Sequence, residues 1–155
     1  MENFQGENFQ ALSSVQGKIG EDLALIRLKD YGFHNLRIRE QLKSVEVDII
    51  ACNKQGIDFF FTVKASWRGD RQGCKRIDTL KKAICEGLMI QLETGRPTII
   101  ITSHKPRSGR GKIMLDMIPK YIIFDVIELQ NDGKRLKWLA NADENDIQKE
   151  LMRLF

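Results

Sequence analysis

The amino-acid sequence predicts an α/β fold, a mixed central β-sheet with α-helices packed on its faces. Three observations predict it. Helix-period and β-rich stretches follow one another in the order α-β-β-β-α-β-β-(β)-α, which suits a sheet covered by helices. Two β-rich runs, 46–52 and 57–65, flank the turn Asn53-Lys54-Gln55-Gly56 and read as a hairpin. Thr98-Ile99-Ile100-Ile101-Thr102 is a continuous apolar run, the pattern of a strand covered on both faces.

Taken in order, residues 1–12 show little periodicity and are expected to be a loose tail. Residues 13–155 are expected to form one domain. Ser13 or Ser14 can cap a first helix running to about Tyr31. Val15, Ile19, Leu23 and Ile26 fall on one side of it, and Leu25 and Leu28 widen that stripe. Gly32 ends the helix. A short strand over 35–39 leads into the hairpin. Residues 67–75, rich in Gly, Arg and Asp, form a loop. A second helix spans 78–93 and closes at Gly95. After the apolar strand comes a basic loop, 105–112, then a strand over 122–129 and a turn at Asn131-Asp132-Gly133. Residues 135–139 suggest a short edge strand. Asp143 or Asn145 can cap a last helix that turns Ile147, Leu151 and Leu154 inward.

The chain has 155 residues, enough for one core without disulfide support. Cys52, Cys74 and Cys85 are too few and too irregular for a disulfide framework or a zinc cluster, and read as reduced thiols. No run has the length and apolarity of a membrane span, and Met1 to Gln10 is too polar for a signal peptide. The expected location is cytoplasmic, at the nucleoid in a bacterium or archaeon. The net charge of +4 permits a polyanionic partner without requiring one. His34 and His104 lack a partner at metal-ligand spacing, and no P-loop, dinucleotide fingerprint or Ser-His-Asp order is present.

The hairpin carries the sharpest chemistry. On a strand alternate residues share a face, so Glu46 and Asp48 point one way, and Thr62 and Lys64 share a face on the other strand. Pairing of the two strands can bring Asp48 and Lys64 together. A carboxylate can hold Mg²⁺ and leave positions for water and a phosphate oxygen, while a lysine steadies the attacking water or the charge on phosphorus. The plainer alternative is a salt bridge across a hairpin.

Gly17-x-x-Gly20-Glu21, Gly32-Phe33, Glu46-Val47-Asp48-Ile49-Ile50-Ala51 and Phe60-Phe61-Thr62-Val63-Lys64 together resemble the PD-(D/E)xK nuclease superfamily. Within it, they look like the small YraN-like proteins and the archaeal Holliday junction resolvases. The resemblance covers about residues 16–66. It implies a restriction-endonuclease-like fold and Mg²⁺-dependent hydrolysis of DNA, with Mn²⁺ as a substitute. It places the metal on Asp48, the water-assisting role on Lys64 and an orienting acid at Glu21. Thr62 departs from the pattern, because the superfamily usually carries Glu, Asp or Gln there and Thr is a poor Mg²⁺ ligand. Three possibilities stay open. Asp78 can supply the second acid from the following helix, as in some restriction enzymes, although it also suits a helix cap; Glu86, deeper in that helix, is a weaker choice. Glu46 can complete the site from its own strand. Otherwise metal binding is impaired, and the protein is a DNA-binding or regulatory module that kept the fold without cutting.

Two basic clusters suit phosphate contacts. Lys105, Arg107, Arg110 and Lys112 lie in one glycine-containing loop, and Arg68, Arg71, Lys75 and Arg76 follow Lys64. Trp67 can stack on a base, whereas Trp138 reads as packing. The expected partner is double-stranded or branched DNA, with RNA a lesser option. One site per chain implies a homodimer or higher homo-oligomer for cutting both strands. The last helix or the strand near Ile122 to Val126 is the expected contact.

Overall fold

The computed structural model describes the backbone of residues 2–153 and the side chains of residues 14–153. Five strands form one sheet in sequential order: β1 (His34–Gln41), β2 (Glu46–Cys52), β3 (Asp58–Lys64), β4 (Thr98–Thr102) and β5 (Ile123–Glu128). β1, β2 and β3 pair antiparallel, whereas β3, β4 and β5 run parallel. The helices are α1 (Glu2–Asp30), α2 (Ile77–Thr94), α3 (Gly109–Met117), α4 (Gly133–Asn141) and α5 (Glu144–Met152). The mixed α/β sheet expected from the sequence is therefore what forms.

Alternation along the strands sorts the core into two layers. Ile49, Phe59, Phe61, Val63, Ile99 and Ile101 face α1, α4 and α5, where Ala24, Leu28, Leu136, Leu139 and Ile147 meet them. Ile100 and Ile123 face α2, against Leu80 and Ala83, with Met114 and Leu115 of α3 packed alongside. β4 is buried at every position, as its two-sided apolar run requires. Asn53, wholly buried at the hairpin turn, ties that turn to α4. Its amide donates to the Leu139 and Ala142 carbonyls, and its oxygen accepts from the Gln55 and Ile57 amides. Among the described residues no helix is long and apolar enough to cross a membrane.

Four expectations change. Helix α1 begins at Glu2, so residues 2–12 are helical rather than a loose tail, and Ser13 and Ser14 lie inside the helix instead of capping it. Glu, Gln, Ala and Leu in that stretch are all good helix formers. The face α1 buries is Gly20, Ala24 and Leu28, while Val15, Ile19, Leu23 and Ile26 are exposed. Close approach decides this. A Cβ at Gly20 would overlap the Ala65 Cβ and meet Val63, so only a face of small residues can lie against the end of β3. Residues 135–139 are helical, because Leu136, Leu139 and Ala140 bury one face at helical spacing. The basic loop is half helix, since α3 starts at Gly109. Asp143 caps α5 through the Asp146 amide as anticipated, and Ile147 and Leu151 turn inward; Leu154 lies outside the described residues.

The fit at Gly20 yields a paired prediction. Gly20→Val should cost about 1–3 kcal/mol in urea unfolding, through overpacking against Ala65. Gly17→Ala, at a position with nothing within 4 Å of its added Cβ, should gain about 0.5–1 kcal/mol.

Candidate active site

The strands β2 and β3 register from Cys52 opposite Asp58 to Ile49 opposite Phe61. One residue further on, the Asp48 carboxylate takes over from backbone pairing and accepts the Val63 amide at 2.7 Å. Thr62 and Lys64 sit on the opposite face from Val63, as alternation predicts, and this face looks toward α2. There Glu86 of α2 meets both. Thr62 Oγ1 lies 2.5 Å from Glu86 Oε2 and 3.2 Å from Asp48 Oδ2, and Lys64 Nζ donates to Glu86 Oε1 at 3.0 Å. Asp48, Thr62, Lys64 and Glu86 thus form one linked group, in which the Lys64 charge acts on Asp48. It stands at the end of β3 that begins the parallel half of the sheet, the end at which α/β sheets characteristically place their sites.

The Thr62 hydroxyl has one proton and two carboxylates within reach. It can donate to only one of them, so the other oxygen faces it without a hydrogen between unless a proton or a cation joins the group. Burial pushes the Asp48 carboxyl above the ordinary carboxylate range. The Val63 amide and Lys64 pull it back, and the charges of Glu86 and Glu21 add to the rise.

The acid of α2 that reaches Thr62 and Lys64 is Glu86. Asp78 is exposed in the first turn of α2, about 12 Å along the axis from Glu86 and about 80° around it. It is not brought to the group. The helix N-cap is Arg76, so Asp78 is not the cap either; it lies in the first turn, where a carboxylate suits the helix dipole. Glu46 is exposed at the start of β2 and makes no hydrogen bond to the group among the described residues. Glu21 of α1 is half-buried, pairs with Arg39 of β1 at 3.3 Å, and is close enough to act on Asp48 through its charge. The signal for Glu86 was its place on the wheel of α2. It lies three residues after buried Ala83 and four before buried Ile90, so a carboxylate borders the apolar face.

The basic clusters converge on one side. Arg68, Arg71 and Arg76 line a groove of about 440 Å³ with Lys64, Thr79 and Lys82, its far wall formed by Gln16 and Gly17 of α1. Arg71 continues into a second groove of about 620 Å³, shared with Lys75, Arg107 and Arg110. The loop between them is pinned at both ends: the Trp67 amide donates to Gln16 Oε1 at 2.9 Å, and the Cys74 amide to the His104 carbonyl at 3.0 Å. Internal partners take up part of the other cluster. Lys105 pairs with Asp132 at 3.0 Å, Arg107 with Glu128 and Lys112 with Asp116. Arg110 makes no ion pair among the described residues. Trp67 is partly buried against the core, which takes surface from stacking, and Trp138 packs on Phe124 as expected.

Among the described residues no cluster of three or more His, Cys, Asp or Glu side chains is gathered for a metal ion. Two carboxylates and a hydroxyl remain. This all-oxygen, doubly acidic set suits Mg²⁺, which is commonly held by one or two carboxylates plus phosphate and water, and does not suit zinc.

No protein-family model and no curated protein matches the chain. Among solved structures it is similar to the crystal structure of a repair endonuclease from Pyrococcus abyssi, with a TM-score of 0.43 and 14% identity over 66% of this chain. The chain spans 40% of the length of that structure.

The Asp48 environment makes a prediction about stability. A carboxyl whose folded pKa is raised binds its proton more tightly in the native state, so stability falls as pH rises through the interval between the unfolded and folded values. Above that interval the charged group is a standing cost. Asp48→Asn, which keeps an acceptor for Val63, should unfold at higher urea concentration than the parent at pH 7. The advantage should vanish below the ordinary carboxylate range, as urea titrations at several pH values will show.

Proposed function

We propose that the chain is a Mg²⁺-dependent endodeoxyribonuclease. The observation that carries this reading is the convergence of Asp48 and Glu86 on Thr62, with Lys64 bound to the same glutamate and opening into an arginine-lined groove. Asp48 and Glu86 would hold the ion, which when bound polarises a phosphoryl oxygen and acidifies water. Glu86 also fixes the Lys64 ammonium by a 3.0 Å ion pair. From there Lys64 can donate to the attacking water or to the phosphate oxygens as charge builds on them. Thr62 keeps the two acids apart and orders their inner oxygens. Glu21 is a positioning residue, acting through Arg39 and through its charge on Asp48.

The DNA backbone would lie along the two grooves that share Arg71, its phosphates facing Arg68, Arg76, Lys75 and Arg110. Among the described residues each chain holds one such group, so cutting both strands of a duplex calls for two copies.

The test is cleavage of plasmid, branched and single-stranded DNA, with RNA alongside, in Mg²⁺ or Mn²⁺. The parent should cut DNA. Asp48→Ala, Glu86→Ala and Lys64→Met should each lose at least about 100-fold, whereas Asp78→Ala should stay near the parent rate. Cleavage should fall off in acid as Asp48 takes up its proton, at a pH above the ordinary carboxylate range. Binding without cleavage in every metal would instead make the protein a DNA-binding module, and cleavage by Asp48→Ala would place the chemistry elsewhere.

A further inference from the structure

Helix α1 has a second apolar face that the fold does not use. Val15, Ile19, Leu23 and Ile26 are 56, 46, 38 and 56% exposed, and lie on the side away from buried Gly20, Ala24 and Leu28. Their spacing of four, four and three residues keeps them within one stripe along the helix. Such a continuous stripe on a water-facing helix marks an interaction surface more than scattered apolar residues do.

We propose that this stripe pairs with the same stripe on a second copy of the chain, the two α1 helices running antiparallel. The residues are self-complementary in that direction: Val15 falls beside the partner's Ile26 and Ile19 beside the partner's Leu23. Charge selects the direction. Lys18, exposed and to one side of the stripe, falls beside the partner's Asp22, and Asp22 beside the partner's Lys18. A parallel pair would carry the two copies of Lys18 and Asp22 to opposite flanks of the seam and leave these ion pairs unmade. The surfaces named from sequence offer less: Ile123, Phe124 and Ile147 are buried in the core, and Ile122, Val126 and Leu151 are half-buried against it. This proposal is independent of the nuclease reading, since it rests on the exposed side of α1 alone.

Sedimentation of the full chain from about 1 to 100 µM tests it. The parent should reach twice its 17.9 kDa, and Ile19→Glu with Leu23→Glu should sediment as monomer with unchanged far-UV circular dichroism. Lys18→Asp and Asp22→Lys should each be monomeric alone, because each sets like charges together. An equimolar mixture of the two should recover the dimer. That mixture separates pairing between chains from any effect within one helix. A monomeric parent across the whole range would overturn the proposal, as would single-charge variants that dimerise alone as the parent does.

Discussion

A threonine hydroxyl between two carboxylates is the constraint around which this molecule is arranged. Two acids do not settle beside one buried hydroxyl without a reason, since one of them is left facing an oxygen. The sheet enforces the meeting from three directions. β2 and β3 give up their backbone pairing beyond Ile49 and Phe61 and let Asp48 cross to the Val63 amide. β3 presents Thr62 and Lys64 on the face opposite its phenylalanine core. α2, anchored by Leu80, Ala83 and Ile90, carries Glu86 down onto that face. None of these placements is costless: the group concentrates negative charge where burial already disfavours it.

Several features otherwise unrelated border that group. Gly20 allows α1 to come close enough to wall the groove with Gln16 and Gly17. The Trp67 and Cys74 amides tie down a loop whose arginines would otherwise wander from the site. Internal carboxylates pair with Lys105, Arg107 and Lys112, whereas Arg68, Arg71, Arg76 and Lys82 line the groove where Lys64 emerges.

Much of this was legible in the sequence where one residue decides one outcome. Alternation placed Thr62 and Lys64 together, and Asp143 was a candidate cap of the last helix. The failures came where a segment had two faces to choose between. Helix α1 offers a large apolar stripe and a small one, and hydrophobic periodicity favours the large one. The crowded end of β3 admits only the small one. Residues 135–139 alternate well enough for a strand, yet Leu136, Leu139 and Ala140 also suit a helix, and the core rewards the helix. For the second acid, spacing from Lys64 drew attention to Asp78, whereas the helical wheel pointed to Glu86. Which of two acids on one helix reaches a sheet depends on how that helix is rotated, and rotation is set by the buried residues on its other turns.

The central claim is that Asp48 and Glu86 form a site for a divalent ion and that neither suffices alone. Calorimetric titration of the protein with Mg²⁺ in two buffers of different ionisation enthalpy measures both the binding and the protons released. The account predicts saturable binding by the parent, with proton release that grows toward acid pH as Asp48 gives up its proton. It predicts that binding is lost in both Asp48→Asn and Glu86→Gln. Mg²⁺ uptake that is unchanged in either variant, or absent from the parent, would contradict it.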